Sequence, residues 1–232
     1  MKKKNIFDKF FSLIALFLAS PFLLIIILFI YLNDFSNPFY ISERVGYNFK
    51  NFRLFKLRSM SIGADKTGVT STSSNDNRIT KIGHYIRKFK LDEIMQLYNV
   101  FLGDMSIVGP RPQIPSEVKL YHAYEKKLLT IKPGITDFSS IVFSDEGDIL
   151  KFSKDPNKDY NILIRPWKSK LGIFYIENRN FIVDIKLIFF TVLSIIDRKT
   201  ALNLTSNLLR ELGADEKLVE IAKRNIDLKI FV

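Results

Sequence analysis

The chain has no cysteine and only two histidines, His84 and His122. The missing cysteine removes disulfides, thiol catalysis and thiolate metal sites together. Two histidines do not make a multi-histidine metal centre. A cysteine-free chain also fits the reducing, cytoplasmic side of a cell. Glycine is sparse, at 10 of 232 residues. Neither glycine-rich phosphate cradle, G-x-x-x-x-G-K or G-x-G-x-x-G, occurs. H-E-x-x-H and G-x-S-x-G are absent too. Acidic residues are outnumbered: 35 Lys and Arg face 24 Asp and Glu, for a net charge of +11. That balance suits a phosphate-rich partner, whether nucleic acid, nucleotide or an anionic membrane face. A hydrophobic content of 47% with 25% charged residues argues against both a disordered polymer and a polytopic membrane protein.

What the sequence does have is one long apolar run. Phe10 to Leu32 carries no charge and matches the ~20 residues needed to cross a bilayer as a helix. It ends in Tyr31-Leu32-Asn33-Asp34 without a small-residue cleavage site, so it does not read as a secretory signal. Ser20-Pro21 stands near its middle, where proline removes a helical donor and predicts a kink. Lys2, Lys3, Lys4 and Lys9 precede the run, and Arg44, Lys50, Arg53, Lys56 and Arg58 follow it. The positive-inside rule places such flanks on one side of the membrane. Two readings fit: a single span with a tolerated proline, or a hairpin hinged at Ser20 and Pro21 with Met1 and the body both cytoplasmic. The arms of the hairpin are roughly 16 Å each, too short to cross a ~30 Å core alone. A second apolar stretch, Phe181 to Ile196, contains Asp184 and Lys186. Asp184, Thr191 and Ser194 share one side at 100° per residue, which predicts a helix lying in the membrane interface, with a buried core helix as the other reading.

The polar middle reads in short pieces. Phe39-Tyr40-Ile41 and Phe52 to Leu57 predict two strands. Ser61 to Asn77 reads as a mobile loop. Ile79, Ile82, Ile86 and Phe89 predict a helix whose rhythm breaks near Lys90-Leu91, so that Asp92-Glu93 opens a second helix in a first turn that favours ionised carboxylates. Gly103-Asp104 ends it. Val108-Gly109-Pro110-Arg111-Pro112 is a turn stiffened by two prolines. Ser116 to Thr130 reads as an amphipathic helix, and two short helical patterns follow Thr200.

Chemistry concentrates in Arg87, Asp92, Glu93 and Arg111, with Lys56 and Arg58 upstream. Arginines offer planar forks to phosphate oxygens. Adjacent carboxylates point about 100° apart on a helix, so one can act as nucleophile while the other holds a metal. Mg²⁺ suits an oxygen-only site beside diphosphate.

Four runs carry a specific resemblance: Lys56-Leu57-Arg58-Ser59-Met60, Leu91 to Val100, Gly103 to Pro112, and Lys132-Pro133-Gly134-Ile135-Thr136. In this order they resemble the bacterial sugar transferase family, the monotopic polyprenyl-phosphate phosphoglycosyl transferases that begin glycan assembly. The resemblance covers about Lys9 to Ile196. It implies a mainly α fold with short β segments: a re-entrant membrane helix over residues 1–33 and a catalytic domain over 34–199 with an interfacial helix at 181–196; the tail over 200–232, read as helical from its own pattern, lies beyond the resemblance. It implies transfer of a phospho-sugar, expected to be N-acetylated, from a UDP-sugar to polyprenyl (undecaprenyl) phosphate, with release of UMP. Asp92 matches the nucleophile that forms an aspartyl phospho-sugar. Glu93 matches the Mg²⁺ ligand, with Asp92 beside the metal. Arg87 and Arg111 match phosphate-binding arginines, and Lys56 and Arg58 are expected to assist them. The implied location is the cytoplasmic face of a bacterial inner membrane, in contact with lipid and without nucleic acid. Asp137 to Glu146 departs from the family's usual run after P-G-I-T, and Met95 stands where proline is frequent. The alternatives are a membrane phosphohydrolase using the same carboxylates, an inactive scaffold, and a nucleic-acid-binding membrane protein.

Overall fold

A computed structural model describes residues 2–226 and 228 of the chain. Met1, Asp227 and residues 229–232 therefore lie outside the described residues. The N-terminal helix α1 runs over Lys2–Asp34. By length and composition, Lys4–Asp34 is able to cross a membrane. Helical structure continues through Ser20 and Pro21 without interruption, which departs from the expected two-arm form. Pro21 has no N–H for the carbonyl of Phe17 four residues back. The Ser20 hydroxyl donates to that carbonyl at 2.7 Å and replaces the lost bond.

One side of α1 is tied to the body along its length. Near the start, Lys4 pairs with Asp184, and Asp8 accepts a hydrogen bond from the Ser106 hydroxyl at 2.7 Å. Further along, Leu23 and Ile30 are buried with Leu57 and Ile86. At the far end, the Arg58 fork grips Asp34, with one arm at 2.6 Å. The outer side is apolar and bare: Phe10, Phe17, Phe22 and Phe29 are all exposed. A contiguous apolar surface of this kind marks a membrane or partner contact.

Two strands, β1 (Phe39–Val45) and β2 (Asn51–Leu57), form the expected antiparallel hairpin. Helix α2 (Lys81–Lys88) starts at Thr80, whose side chain accepts from the Gly83 N–H. Helix α3 (Gln96–Leu102) ends at Gly103, whose φ of 96° provides the left-handed cap. Between them lies a single 3-10 turn, Leu91–Glu93, entered through Lys90 at φ 54°. The break at Lys90-Leu91 matches the sequence, but Asp92 and Glu93 sit in this turn rather than in the first turn of α3. The segment from Ser61 to Asn77 is not a free loop. Arg78 holds Asp76 and the carbonyls of Ala64 and Val69, and the Asn157 side chain accepts from the N–H groups of Thr70 and Ser71.

Strand β3 (Ser106–Val108) pairs in parallel with β4 (Gly134–Thr136). The Ser116 to Thr130 helix is not continuous. It becomes a short α4 (Pro115–Val118) and a 3-10 stretch, Glu125–Thr130. Glu125 is the cause: its carboxylate accepts from the His122 N–H at 2.8 Å and from the Ser169 hydroxyl at 2.7 Å. Such side-chain bonds compete with helical ones. Three short helices follow, α5 (Phe138–Val142), α6 (Glu146–Ile149) and α7 (Pro156–Asp159), then the longer α8 (Arg165–Asn178).

Helix α9 (Phe181–Ile196) has an inverted polarity. Asp184 and Ser194 are buried with Val183, Leu187 and Phe190, while Phe181, Ile182, Phe189 and Ile196 are exposed. The polar side expected at Asp184, Thr191 and Ser194 faces protein, and the apolar side faces out with that of α1. Helices α10 (Arg198–Glu211) and α11 (Glu216–Lys223) complete the described chain. Ala201, Leu208, Leu209, Leu218 and Val219 share one core with Phe138, Leu171, Tyr175 and Leu187.

Candidate active site

Three local devices bring the charged residues together. The first is Asn99 on α3, fully buried. Its oxygen accepts from the Phe55 N–H at 3.0 Å and its nitrogen donates to the Arg53 carbonyl at 2.7 Å. That clamps β2 to α3 and sets Lys56 opposite the Asp92-Glu93 turn. The second is the apolar packing of Leu91 and Ile94 against Ile86 and Leu57. The third is the close approach of β3 and β4. A β-carbon on Gly134 would lie 2.1 Å from the Gly109 nitrogen, so only glycine allows the strands to meet there. The Pro110-Arg111-Pro112 turn is thereby held against β4, where the Arg111 guanidinium donates to the Ile135 carbonyl at 2.8 Å.

The two adjacent carboxylates end in different states. Glu93 is gripped by the Arg111 fork, with one arm at 2.8 Å, and Lys56 lies 3.3 Å away. Burial alone would raise its pKa, but Arg111 and Lys56 outweigh burial and hold Glu93 well below the usual carboxylate range. Glu93 in turn keeps Arg111 protonated against its own burial. Asp92 is buried and accepts no hydrogen bond among the described residues; its nearest partner is Lys56 at 3.6 Å. Burial raises its pKa first and Glu93 adds to that, against Lys56, Arg87 and Arg111. The direction of this shift is opposite to the one a helix first turn would give. A three-residue turn has little dipole, and desolvation dominates.

Of the residues singled out in the sequence, Lys56, Asp92, Glu93 and Arg111 come together through direct pairs, and Arg87 acts on Asp92 through its charge. Arg58 does not join them. Its donors go to Asp34, to the Asn37 carbonyl at 2.7 Å and to the Ser36 carbonyl at 3.4 Å, so it pins the end of α1 rather than offering a fork to phosphate.

The structure adds residues that the sequence did not suggest. Lys90 is held beside the turn in a left-handed conformation, where burial lowers its pKa against the pull of Glu93. Arg44 on β1 is depressed by burial and lies within the field of Arg111 and Glu93. Lys168 on α8 pairs with Glu146 and lies 5.3 Å over the Tyr160 ring. Gln96, one turn beyond Asp92, is fully buried with neither amide atom partnered. Lys90 alone had a signal in the sequence, as the basic residue abutting the Asp-Glu pair. Arg44 and Lys168 arrive from distant segments.

No group of three or more potential metal-ligating side chains occurs among the described residues. Two carboxylates nonetheless fit Mg²⁺, which typically takes one or two protein carboxylates and completes its shell with substrate phosphate and water. The donor set is all oxygen, Glu93 stays ionised, and its Oε2 accepts only from Arg111 and keeps a lone pair, while Oε1 accepts from both Arg111 and Lys56. The arrangement can therefore present one free carboxylate and one locked carboxylate to a phosphate-bearing substrate, inside a ring of cations.

The model of the bacterial sugar transferase family matches residues 1–198. A Bacillus subtilis (strain 168) protein, provisionally named an undecaprenyl-phosphate N-acetylgalactosaminyl 1-phosphate transferase, is 44% identical over 133 residues, covering 57% of this chain and 70% of that protein. The undecaprenyl-phosphate glucose phosphotransferase of Komagataeibacter xylinus is 34% identical over 199 residues, covering 83% of this chain but only 35% of that longer protein. The exopolysaccharide production protein PSS of Rhizobium leguminosarum bv. phaseoli is 32% identical over 213 residues, covering 84% of this chain and 96% of that protein. With the motifs, the clustered charges and a family match over most of its length, the chain belongs to the bacterial sugar transferase family, and so to the transferases.

Proposed function

We propose that this protein moves a phospho-sugar from a UDP-sugar to undecaprenyl phosphate in two displacements. An Asp92 carboxylate oxygen attacks the phosphorus linked to the sugar. An O–P bond forms, the bond to UMP breaks, and UMP leaves with the electron pair. A phosphate oxygen of the lipid then attacks the same phosphorus. The Asp92–phosphorus bond breaks, the carboxylate is restored, and a polyprenyl diphosphate sugar results. The observation that carries this reading is the contrast at the turn: Asp92 is buried yet accepts no hydrogen bond among the described residues, while Glu93 is gripped by Arg111 and Lys56. A free carboxylate in a cationic enclosure is a nucleophile in waiting.

Arg111 orients the phosphates through its remaining donors, and Lys56, Arg87 and Lys90 offset their charge. Glu93 would hold Mg²⁺, with Asp92 beside it. The ion would lower repulsion between anionic reactants. The names of the relatives point to N-acetylgalactosamine and glucose as sugars to test first.

The same reading puts the protein on the cytoplasmic face of a bacterial inner membrane, with the unbroken α1 entering the membrane from one side rather than crossing it, a catalytic unit over 34–199 and a tail over 200–232. Both ends of α1 are ion-paired to one body, at Asp184 and at Arg58. A helix spanning the bilayer would carry one end about 30 Å away from that body. The chain has no cysteine, so Asn5→Cys and Asn48→Cys each give a single label site. Neither should react with an impermeant reagent outside intact cells, and labelling at position 5 alone would make α1 a span.

The activity is tested with the full chain, Mg²⁺ and a panel of UDP-sugars, with and without undecaprenyl phosphate. Sustained UMP release and a lipid-linked sugar should appear only when the lipid is present. Sugar phosphate delivered to water would instead make this a phosphohydrolase, and no turnover with any sugar would make it a scaffold.

A further inference from the structure

A second basic feature lies apart from the Asp92 site, at the start of α1. A recess of about 480 Å³ is lined by Asn5, Ile6, Lys9, Leu102, Gly103 and Lys132. Its two lysines converge. The Lys9 and Lys132 ammonium groups lie 3.5 and 3.7 Å from the point where a β-carbon on Gly103 would sit. Gly103 is glycine because its φ of 96° closes α3, and the missing side chain leaves that point open. Neither the exposed Lys9 nor the half-buried Lys132 ammonium has an ion-pair or hydrogen-bond partner among the described residues, whereas Lys4, Lys56, Arg58, Arg111 and Lys168 are all paired. Burial and the nearby Lys9 charge push the Lys132 pKa down, while Asp8 and Asp104 pull it up without forming an ion pair with it. No carboxylate of the described residues sits between the two ammonium groups, and an anion seated there would offset their mutual repulsion.

The walls of the recess fix the kind of anion. Ile6 and Leu102 are exposed beside it, and they continue the bare apolar side of α1 with Phe10 and Phe101. A ligand seated here meets apolar surface on one side and two ammonium groups on the other. We propose that this recess is a headgroup site for an anionic phospholipid of the surrounding membrane, with its phosphate between Lys9 and Lys132 and its acyl chains along α1. It is not the seat of the reacting lipid phosphate. The recess opens at the C-terminal end of α3, whereas Asp92 precedes its N-terminal end, and α3 alone is about 10 Å long. A phosphate at Gly103 is out of reach of Asp92. The bound lipid would fix the entry of α1 at the membrane surface beside the Lys4–Asp184 pair, and the assignment stands whichever sugar the enzyme uses.

The full chain is placed in nanodiscs of equal phosphatidylglycerol and phosphatidylcholine, released, and weighed intact with its retained lipid. Wild type should keep one phosphatidylglycerol in preference to phosphatidylcholine. Lys9→Gln/Lys132→Gln should lose that preference by roughly tenfold or more, because both charged donors to the phosphate are removed. Lys132→Arg should keep it, and so should Lys126→Gln, a change at an exposed lysine. The single Lys9→Gln variant gives the intermediate value should the double variant not fold. Equal retention by wild type and the neutralised variants would overturn the site. So would displacement of phosphatidylglycerol by undecaprenyl phosphate, which would assign the recess to the acceptor, or by inorganic phosphate, which would remove any role for the acyl chains. Because lipid retention is read without turnover, a failed assay for sugar transfer leaves this result untouched.

Discussion

Two arginine–carboxylate forks stand at opposite duties in this protein, Arg58 on Asp34 and Arg111 on Glu93. Their sequence settings look alike, each a basic residue in a short motif-bearing run. Their surroundings do not. Arg58 spends its donors inside the chain, on Asp34, Asn37 and Ser36, and its side chain is 9% exposed. Arg111 is 23% exposed, and its Nε has no partner among the described residues. A saturated arginine is a staple. An arginine that grips a carboxylate and still has donors to give is a ligand-binding group, because its fork is pre-set by the protein and completed by the substrate.

The largest effect expected from this contrast is at Arg111. Arg111→Lys should lower kcat/KM roughly 10- to 100-fold, since a point charge cannot replace a fork and charged hydrogen bonds are worth ~1.5–3 kcal/mol each. Near wild-type turnover would place Arg111 with the staples. Arg58→Lys should do the reverse. It should leave kcat within about twofold and lower the melting temperature, at about 2–4 °C per kcal/mol for a chain of this size. A catalytic defect without a stability change would return Arg58 to the site.

A smaller effect sharpens the difference between the carboxylates. The raised pKa of Asp92 means that its ionised form, the reactive one, is lost as pH falls, and at a higher pH than for an ordinary carboxylate. The acid limb of kcat/KM should reflect this. Lys56→Gln removes a charge that favours ionised Asp92, so the limb should move to higher pH. An unmoved limb would mean that another group titrates. The smallest effect expected is from Ser20→Ala. It leaves the Phe17 carbonyl unsatisfied and should cost about 0.5–1.5 kcal/mol, seen as a lowered melting temperature with kinetics unchanged.

Much of this was legible from residue order alone. The strands β1 and β2, the break at Lys90 and the Gly103 cap follow from alternation, phase and turn chemistry, which are local, whereas Asp92, Glu93 and Arg111 stand out together through the family resemblance of the runs that hold them. The misreadings share a cause. Arg58 went to the phosphate site because nothing local shows that Asp34 will fold back to meet it. The apolar rhythm of Ser116 to Thr130 predicts one continuous helix, but Glu125 bonds the nearby His122 N–H and is held by Ser169, a residue 44 positions on. A helix first turn at Asp92 would lower its pKa, whereas burial, which residue order does not show, pushes it up. Asn99, Arg44 and Lys168 gave no sign, since each gains its role only when separate segments meet.

The central claim is that Asp92, and not Glu93, becomes bonded to the phospho-sugar. The direct measurement is to mix full-length enzyme, Mg²⁺ and an accepted UDP-sugar without any lipid phosphate, count the UMP released per enzyme, and map the adduct by mass spectrometry. The account predicts a burst of about one UMP per active site, a phospho-sugar on Asp92, and neither with Asp92→Asn. UMP release that requires lipid phosphate and leaves no adduct would contradict it, and would make the reaction a direct transfer with Asp92 as a base or metal ligand.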